Sequence, residues 1–400
     1  MNVAIIGNGM YATGRGTDAY GTILPAVFEW KRSGSIVEKL VIVGTNGKHS
    51  SQAKKKAEEL SSKTGIFIDT EVYPKEGDVS CNAYKEVLRA IDKPACAIVV
   101  VPDHLHYQVV SDCLKAGLHV LVVKPLTPTV EEGRKLIDLA NVNNLYCGVE
   151  FHKRYDRSNM MMRDTYQSGA IGRPLYFIVE YSQRKSIPTK MFKEWVHKTN
   201  ILQYLGIHYI DIVRFVTKAV PVRVMALGQK TWLQDYEIDS YDSIQCIVEW
   251  ETSEGDNFTQ TLLTNWIDPE TTSSMSDQKI KIIGTKGRYE ADQKDRGIRL
   301  CTDNSCLQQP NPDFCMSYKD QNGDSNWQGY GIDSVVDYLN RVTDFVENDT
   351  SINNIDNSNR SSFEESLIST SVLESANKSL NLDGEWVVID NRSSQSQVEV

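Results

Sequence analysis

The stretch Val3-Ala4-Ile5-Ile6-Gly7-Asn8-Gly9-Met10-Tyr11-Ala12 decides the fold. An apolar run of strand length breaks into the pattern GxGxxA. Gly7 permits a tight turn, Gly9 lets the backbone approach a pyrophosphate, and the small Ala12 allows a helix to pack closely on the sheet. A helix starting there presents free N–H groups to an anion, so Gly7, Gly9, Met10, Tyr11 and Ala12 form the expected cofactor cradle. The following segment, 13–34, is longer than a simple crossover and carries Arg15, Asp18, Tyr20 and Gly21 ahead of an apolar helix. It folds either over the ligand or onto the surface.

Outward from this turn, short apolar strands at 3–6, 40–43, 97–101, 119–123 and 145–149 alternate with helical patterns at 51–63, 84–90, 107–116 and 130–141, and a further strand is expected near 71–73. That alternation builds an α/β doubly wound parallel sheet of Rossmann type with helices on both faces. After about residue 150 the texture changes to strands at 175–181, 222–227, 243–250, 258–265, 279–283 and 297–300. In 243–250, Ile244, Cys246, Val248 and Trp250 share one face, which predicts a large, mostly antiparallel open sheet with one buried side. Helices are expected at 202–216, 334–346 and 363–379, and a last strand at 385–389. The expected division is a dinucleotide-binding Rossmann domain over 1–150 and an α+β substrate-binding and oligomerisation domain over 151–390, with the 363–379 helix packing back on the first. Residues 391–400 read as a flexible tail.

The 400 residues are 40% hydrophobic and 24% charged, ordinary globular usage, with a net charge of −10. That acidic balance argues against nucleic acid or an anionic membrane as partner. No apolar run approaches the length needed to cross a bilayer. With a strand opening at Val3 there is no room for a secretory leader, and most of the eight cysteines lie in apolar patterns, so a cytoplasmic protein with reduced thiols is expected. Cys301, Cys306 and Cys315 share a polar stretch but lack the spacing of a zinc site, and no metal is expected.

The end of the second strand distinguishes NAD from NADP, because a carboxylate there binds the ribose 2′-hydroxyl and repels a 2′-phosphate. The sequence Val43-Gly44-Thr45-Asn46-Gly47-Lys48-His49-Ser50 has no acid. Thr45, Asn46, Lys48 and Ser50 suit a phosphate and tilt the expectation modestly toward NADP, with NAD left open.

Three later stretches resemble the glucose–fructose oxidoreductase, inositol dehydrogenase and rhizopine catabolism (Gfo/Idh/MocA) family. Val101-Pro102-Asp103-His104-Leu105-His106 is similar to its TPNxxH loop, Gly117-Leu118-His119-Val120-Leu121-Val122-Val123-Lys124-Pro125 to its GKHVxxEKP signature, and Leu205-Gly206-Ile207-His208-Tyr209-Ile210-Asp211 to its GxHxxD helix. The resemblance covers nearly the whole chain. It implies an NAD(P)-dependent oxidoreductase acting on a cyclic polyol, sugar or sugar derivative, a cis bond before Pro125, and a homodimer or homotetramer formed through the second sheet. Lys124 would polarise the substrate oxygen, His208 would exchange its proton, and Tyr204 would orient the substrate. Pro102 and His106 would flank the cofactor, and Arg154 and Tyr155 would line the substrate pocket.

The residues support parts of this independently. Lys124 follows an apolar strand directly before proline, at the carboxyl edge where ligands bind in open α/β sheets, and an ammonium there stabilises a developing alkoxide. Imidazole titrates near neutrality and suits proton exchange at His208. Departures from the family pattern are Tyr204 where it has Asp one turn before the histidine, Val123 where it has Glu, and Thr199 and Asn200 where it is glycine-rich. Tyr204 and His208, four apart on one helix, would still share a face. Two alternatives stay open: a nucleotide-sugar dehydrogenase or reductase, and a non-catalytic dinucleotide sensor of the same fold.

Overall fold

The computed structural model describes residues 1–348, 351–352 and 360–390; the tail expected over 391–400 lies outside the described residues. Backbone contacts divide the chain into two compact units. The described residues of Met1–Thr127, Glu131–Asp156 and Asp313–Glu365 form the first, and those of Pro128–Val130, Arg157–Pro312 and Ser366–Val400 the second.

The first unit holds six strands: β1 (Asn2–Ile6), β2 (Leu40–Val43), β3 (Thr70–Tyr73), β4 (Ala95–Val99), β5 (His119–Val123) and β6 (Cys147–Glu150). They pair in parallel in the order β3-β2-β1-β4-β5-β6. The order reverses between β1 and β4, so the carboxyl ends of those strands open the crevice that receives ligands in such sheets. Both are buried along their whole length, as continuous apolar runs covered on two faces must be. The connecting helices are α1 (Met10–Thr13), α2 (Ile23–Arg32), α3 (Gly47–Thr64), α4 (Ala83–Ala90), α5 (His106–Lys115) and α6 (Val130–Val142). Helix α3 begins four residues before the expected 51 because the Asn46 side chain caps it, accepting from the amides of Lys48 and His49; an N-cap of this kind satisfies amides the helix itself leaves free.

The second unit is a mixed sheet. Its strands β7 (Pro174–Arg184), β8 (Val220–Gln229), β9 (Ser243–Glu251), β10 (Asn257–Asp268), β11 (Ser276–Gly284) and β12 (Arg288–Asp292) run in the order β12-β11-β7-β10-β9-β8, with the short strand Val387–Val388 beyond β8. Only β7 and β10 pair in parallel; the other neighbours are antiparallel. Ile244, Cys246, Val248 and Trp250 are all fully buried, the one-sided burial their alternation predicts. Helices α7 (Arg157–Gln167) and α8 (Ile207–Thr217) belong to this unit, and the Gln260 side chain donates to the Tyr209 carbonyl of α8 at 2.9 Å. The helix expected over 202–216 is interrupted, because Leu202–Gly206 forms a π-helical turn before α8 begins. In place of the strand expected at 297–300 stands a hairpin of β13 (Leu300–Thr302) and β14 (Ser305–Gln308).

Residues 313–365 depart most from the expected contiguous division. A second hairpin, β15 (Met316–Lys319) with β16 (Ser325–Gln328), and helix α9 (Tyr330–Glu347) return to the first unit. Val335, Leu339 and Val342 of α9 join the core containing Val3, Ile5, Phe28, Trp30 and Ile42. Trp30 donates through Nε1 to Asn340 at 2.9 Å, and Glu29 accepts from the Trp327 amide at 2.9 Å. Truncating a tryptophan as buried as Trp30 costs about 3–5 kcal/mol. Helix α10 (Phe363–Leu380) begins in the first unit and continues in the second.

Candidate active site

The cradle is built by two glycines with opposite constraints. Gly7 has φ of 112°, and a Cβ there would lie 2.0 Å from the Val100 carbonyl oxygen, so only glycine passes between β1 and the loop after β4. Gly9, the residue before α1, has ordinary extended backbone at φ −75° and ψ −171°. A Cβ on Gly9 meets nothing within 4 Å. That open space fits the approach of a dinucleotide pyrophosphate. Ala12 is fully buried, Met10 and Tyr11 are half-buried, and the Tyr11 carbonyl accepts from the Thr22 amide at 2.7 Å.

At the end of β2 the structure places the residues expected to hold a phosphate as follows. The Asn46 side-chain oxygen caps α3, and Thr45 and Lys48 are exposed. Two residues outside that set lie at the same corner. Asn8 lies against Gly44, donates to Ser50 Oγ at 3.2 Å and accepts from Arg15 at 3.3 Å. Arg15 is also 3.2 Å from Nδ1 of His49. Burial, then the charges of Arg15 and Lys48, hold the His49 imidazole below its usual pKa. The segment bearing Arg15 is tied down on α3, where Lys56 donates to the carbonyls of Thr17 and Ala19 at 2.9 Å and the Tyr20 hydroxyl donates to Glu59 at 3.1 Å. It folds onto its own unit and leaves the Arg15 guanidinium at the corner beyond β2.

Lys124 follows β5, and its bond to Pro125 is cis. The side chain is half-buried. Burial pushes its ammonium down to about 8, against the opposing pull of the carboxylates of Asp103 and Glu150. Both acids are nearly inaccessible, at 6% and 3% exposure. Glu150 accepts from Ser334 Oγ at 2.7 Å and from His152 Nδ1 at 3.0 Å. The Tyr11 hydroxyl lies 3.2 Å from the same nitrogen, and burial with the neighbouring Glu150 charge holds its phenol well above the usual range. Tyr330 stacks on the His152 ring at 5.7 Å.

Four of the expected contact residues are held by the first unit itself. His106 is fully buried, with Nδ1 at 2.7 Å from the Pro125 carbonyl and Nε2 at 3.0 Å from that of Val101. Both ring nitrogens face backbone carbonyls, one of them as the donor of the neutral ring, so His106 braces the Lys-Pro loop. Pro102 starts the turn Asp103–Leu105, its carbonyl accepting from Leu105 at 2.9 Å. Tyr155 donates its hydroxyl to Asp337 at 2.6 Å and Arg154 is buried at 4% exposure, both within the first unit. The Tyr155 hydroxyl is thus committed to protein. Trp327 and Tyr330, aromatic residues of the kind that stack on sugars, are buried at 8% and 5% exposure; Trp327 packs edge-on against Tyr20 at 5.7 Å.

In the second unit His208 is 3% exposed on α8. Tyr204 lies in the π-helical turn, edge-on to Phe192 at 4.7 Å, and burial pushes its phenol up to about 12. It is a neutral donor at ordinary pH. The shared-face argument assumed regular helix through 204 and 208; the wider π turn, with its longer hydrogen-bond spacing, changes that register. Asn200 accepts from the Gln203 amide at 2.9 Å and donates to Asn377 at 2.8 Å, so it anchors the turn. Among the described residues no group of three His, Cys, Asp or Glu is arranged to hold a metal. Cys301 and Cys306 are exposed in the second unit, whereas Cys315 sits in the first against the Gly21 carbonyl.

Residues 1–151 match the model of the oxidoreductase family with an NAD-binding Rossmann fold, and residues 160–290 match the GFO/IDH/MocA C-terminal domain. The chain belongs to the Gfo/Idh/MocA oxidoreductase family. Among curated relatives, this Gfo/Idh/MocA protein is 29% identical over 157 residues to scyllo-inositol 2-dehydrogenase (NADP(+)) of Bacillus subtilis, covering 38% of the chain and 44% of the relative. It is 24% identical over 257 residues to inositol 2-dehydrogenase of Rhizobium meliloti, covering 62% and 74%. The first curated relatives are matched over less than half of their length. Among solved structures, myo-inositol 2-dehydrogenase of Lactobacillus plantarum superposes with a TM-score of 0.69 at 16% identity, over 98% of this chain and 99% of that one. At that identity the likeness shows the fold. No described helix is long and apolar enough to cross a membrane.

Asp103, Glu150, His152 and His49 are neighbours that sequence reasoning missed, while Arg15 stood out only as part of the 13–34 segment. Glu150 left one signal, an acid ending an otherwise uncharged buried strand. The others left none, because their roles depend on which loops meet.

Proposed function

We propose that this protein is an NAD(P)-dependent oxidoreductase transferring a hydride between the cofactor and a ring or carbonyl carbon of a cyclic polyol, sugar or sugar derivative. The observation that carries the reading is Lys124, a half-buried ammonium beside Asp103 and Glu150 at the carboxyl edge of the sheet whose glycine turn leaves room for a dinucleotide. The nicotinamide ring, when bound, supplies the hydride chemistry. Lys124 polarises the substrate oxygen and stabilises the negative charge that grows on it. His208 exchanges the hydroxyl proton. Tyr204, neutral at ordinary pH, donates a hydrogen bond that orients the substrate.

NADP is the favoured cofactor in this reading. Arg15, Lys48 and His49 converge beyond β2, a corner suited to a 2′-phosphate. The inositol dehydrogenases among the relatives favour a cyclic polyol. The protein works in the cytoplasm as a homodimer or homotetramer, a reading supported by eight unpaired cysteines and by Leu227 and Leu263, exposed in one row of the outer sheet face. The replacement of the family's Asp by Tyr204 favours a second reading, a dinucleotide-binding sensor without turnover. The experiment is absorbance at 340 nm with NAD or NADP over a panel of inositols, sugars and sugar acids. Turnover supports the enzyme; cofactor binding without turnover on any of them supports the sensor.

A further inference from the structure

We propose that Cys301 and Cys306 form a redox modification site: a thiol pair on one face of the β13–β14 hairpin that glutathione disulfide oxidises reversibly to an intramolecular disulfide. Neither residue belongs to the candidate active site.

The register of the hairpin places the two thiols. Its strands are joined by the turn Asp303-Asn304, with Thr302 paired to Ser305 and Leu300 to Gln308. Between those pairs Cys301 alone lies opposite Cys306 and Leu307, the one-against-two arrangement of a bulge. The hydroxyls of Thr302 and Ser305 are 2.8 Å apart, so those two side chains share a face. Successive side chains of a strand point to opposite faces, which turns Cys301 and Cys306 together to the other one. The Cys301 thiol already leans across the hairpin, its Sγ donating to the Ser305 carbonyl oxygen at 3.9 Å, and the carbon of that carbonyl is bonded to the Cys306 nitrogen. Opposed residues of an antiparallel pair have Cα atoms about 4.5–5.5 Å apart, inside the range of roughly 4.4–6.8 Å that a disulfide spans. Each thiol moves between staggered positions by rotation about χ1, and both are exposed, so no core packing resists the rotation.

The other cysteines are poorly placed for this chemistry. The thiolate is the species that attacks a disulfide, and burial pushes the thiols of Cys96 and Cys246 up to about 12 and raises those of Cys113 and Cys147 as well. Cys315 is half-buried against the Gly21 carbonyl in the first unit, its thiol pushed up to about 11. Cys81, the remaining exposed cysteine, is also in the first unit. In the oxidation, one thiol of the pair displaces glutathione from glutathione disulfide and forms a mixed disulfide. The other thiol displaces the second glutathione and closes the protein disulfide. The pair gives up two electrons and two protons, and the glutathione disulfide leaves as two molecules of glutathione. Only residues 302–305 lie between the joined cysteines, so closure asks no movement of the mixed sheet. Exposed disulfides are the labile ones in exchange with glutathione, which makes this bond a reversible mark on a protein whose resting cysteines are free thiols.

The test is fragment mapping. Full-length protein, reduced, freed of reductant and verified as folded by circular dichroism, is incubated with glutathione disulfide. Remaining thiols are blocked with iodoacetamide and the chain is cleaved before aspartate. Cleavage at Asp303 and Asp313 separates Cys301, Cys306 and Cys315, so the fragments found joined name the pair. The fragments of Cys301 and Cys306 should be recovered joined, with the loss of two hydrogens and no glutathione retained, from protein that runs as a single chain on non-reducing electrophoresis. Dithiothreitol should restore both as blockable thiols. Cys301→Ser and Cys306→Ser should each stop at the mixed disulfide, the fragment of the remaining cysteine carrying one glutathione. Four results overturn the pairing in the parent protein: both cysteines unreacted, both carrying glutathione without joining, either joined to Cys315 or to another chain, or the two joined only after unfolding in guanidinium chloride. Should a serine variant fail to fold, the parent fragments decide by themselves.

Discussion

Gly7 and Gly9 are two residues apart, yet substitution at each should fail for a different reason. At Gly9 the backbone is extended, with φ −75° and ψ −171°, a conformation valine adopts, and a new Cβ meets nothing within 4 Å. Gly9→Val should therefore change stability by no more than about 0.5 kcal/mol, under about 2 °C for a unit of this size. The branched side chain nevertheless fills the space through which a pyrophosphate approaches the helix start, and dinucleotide affinity should fall at least about 100-fold, or ~2.7 kcal/mol. At Gly7, φ is 112° and the Cβ would sit 2.0 Å from the Val100 carbonyl oxygen. The backbone strain alone is roughly 1–3 kcal/mol, and the clash adds to it. Gly7→Ala should lower Tm by more than about 5 °C. Melting curves by circular dichroism and cofactor titration by calorimetry separate the two. A Gly9→Val protein that binds dinucleotide normally, or a Gly7→Ala protein as stable as the parent, would refute the geometry of the cradle.

Other substitutions probe the rest of the site. Arg15→Ala should weaken NADP by about tenfold, ~1–2 kcal/mol for an exposed charge-assisted contact, and leave NAD within about twofold; equal losses for both cofactors by calorimetry would remove Arg15 from the 2′-phosphate corner. Lys124→Ala should cut turnover at least about a hundredfold with dinucleotide affinity nearly intact, and an undiminished steady-state rate would exclude it from the mechanism. Because burial lowers the Lys124 midpoint to about 8, the ammonium is present below that pH and lost above it. The parent rate should therefore decline as pH rises through about 8, whereas a profile flat to about pH 10 would contradict a charged lysine. His208→Asn should lower turnover about 10²- to 10⁴-fold without altering cofactor affinity, and wild-type turnover would reassign the proton.

Legibility in the sequence tracked how local each decision was. The turn after β1 could be read because its constraint is a property of two glycines and their strand, and Lys124 because an apolar run cut by proline marks a sheet edge. The start of α3 was missed by four residues for want of recognising Asn46 as its cap. The regular spacing of Tyr204 and His208 failed because a π-helical turn has the same composition as an α-helix. His106 looked like a ligand on its loop; two backbone carbonyls, those of Val101 and Pro125, claimed its ring once the chain had folded.

Periodicity alone therefore determined two kinds of sheet and where the chemistry of the first is concentrated, since alternation, glycine conformation and strand ends are properties of neighbours along the chain. Tertiary structure decided that 313–365 returns to the first unit, that Arg15 meets His49, and that Glu150 stands opposite the residue before Lys124. Those pairings join residues 27 to more than 300 positions apart. An amphipathic helix or a lone acid carries no record of its eventual partner, and the burial that lowers the Lys124 midpoint exists only once distant segments have packed.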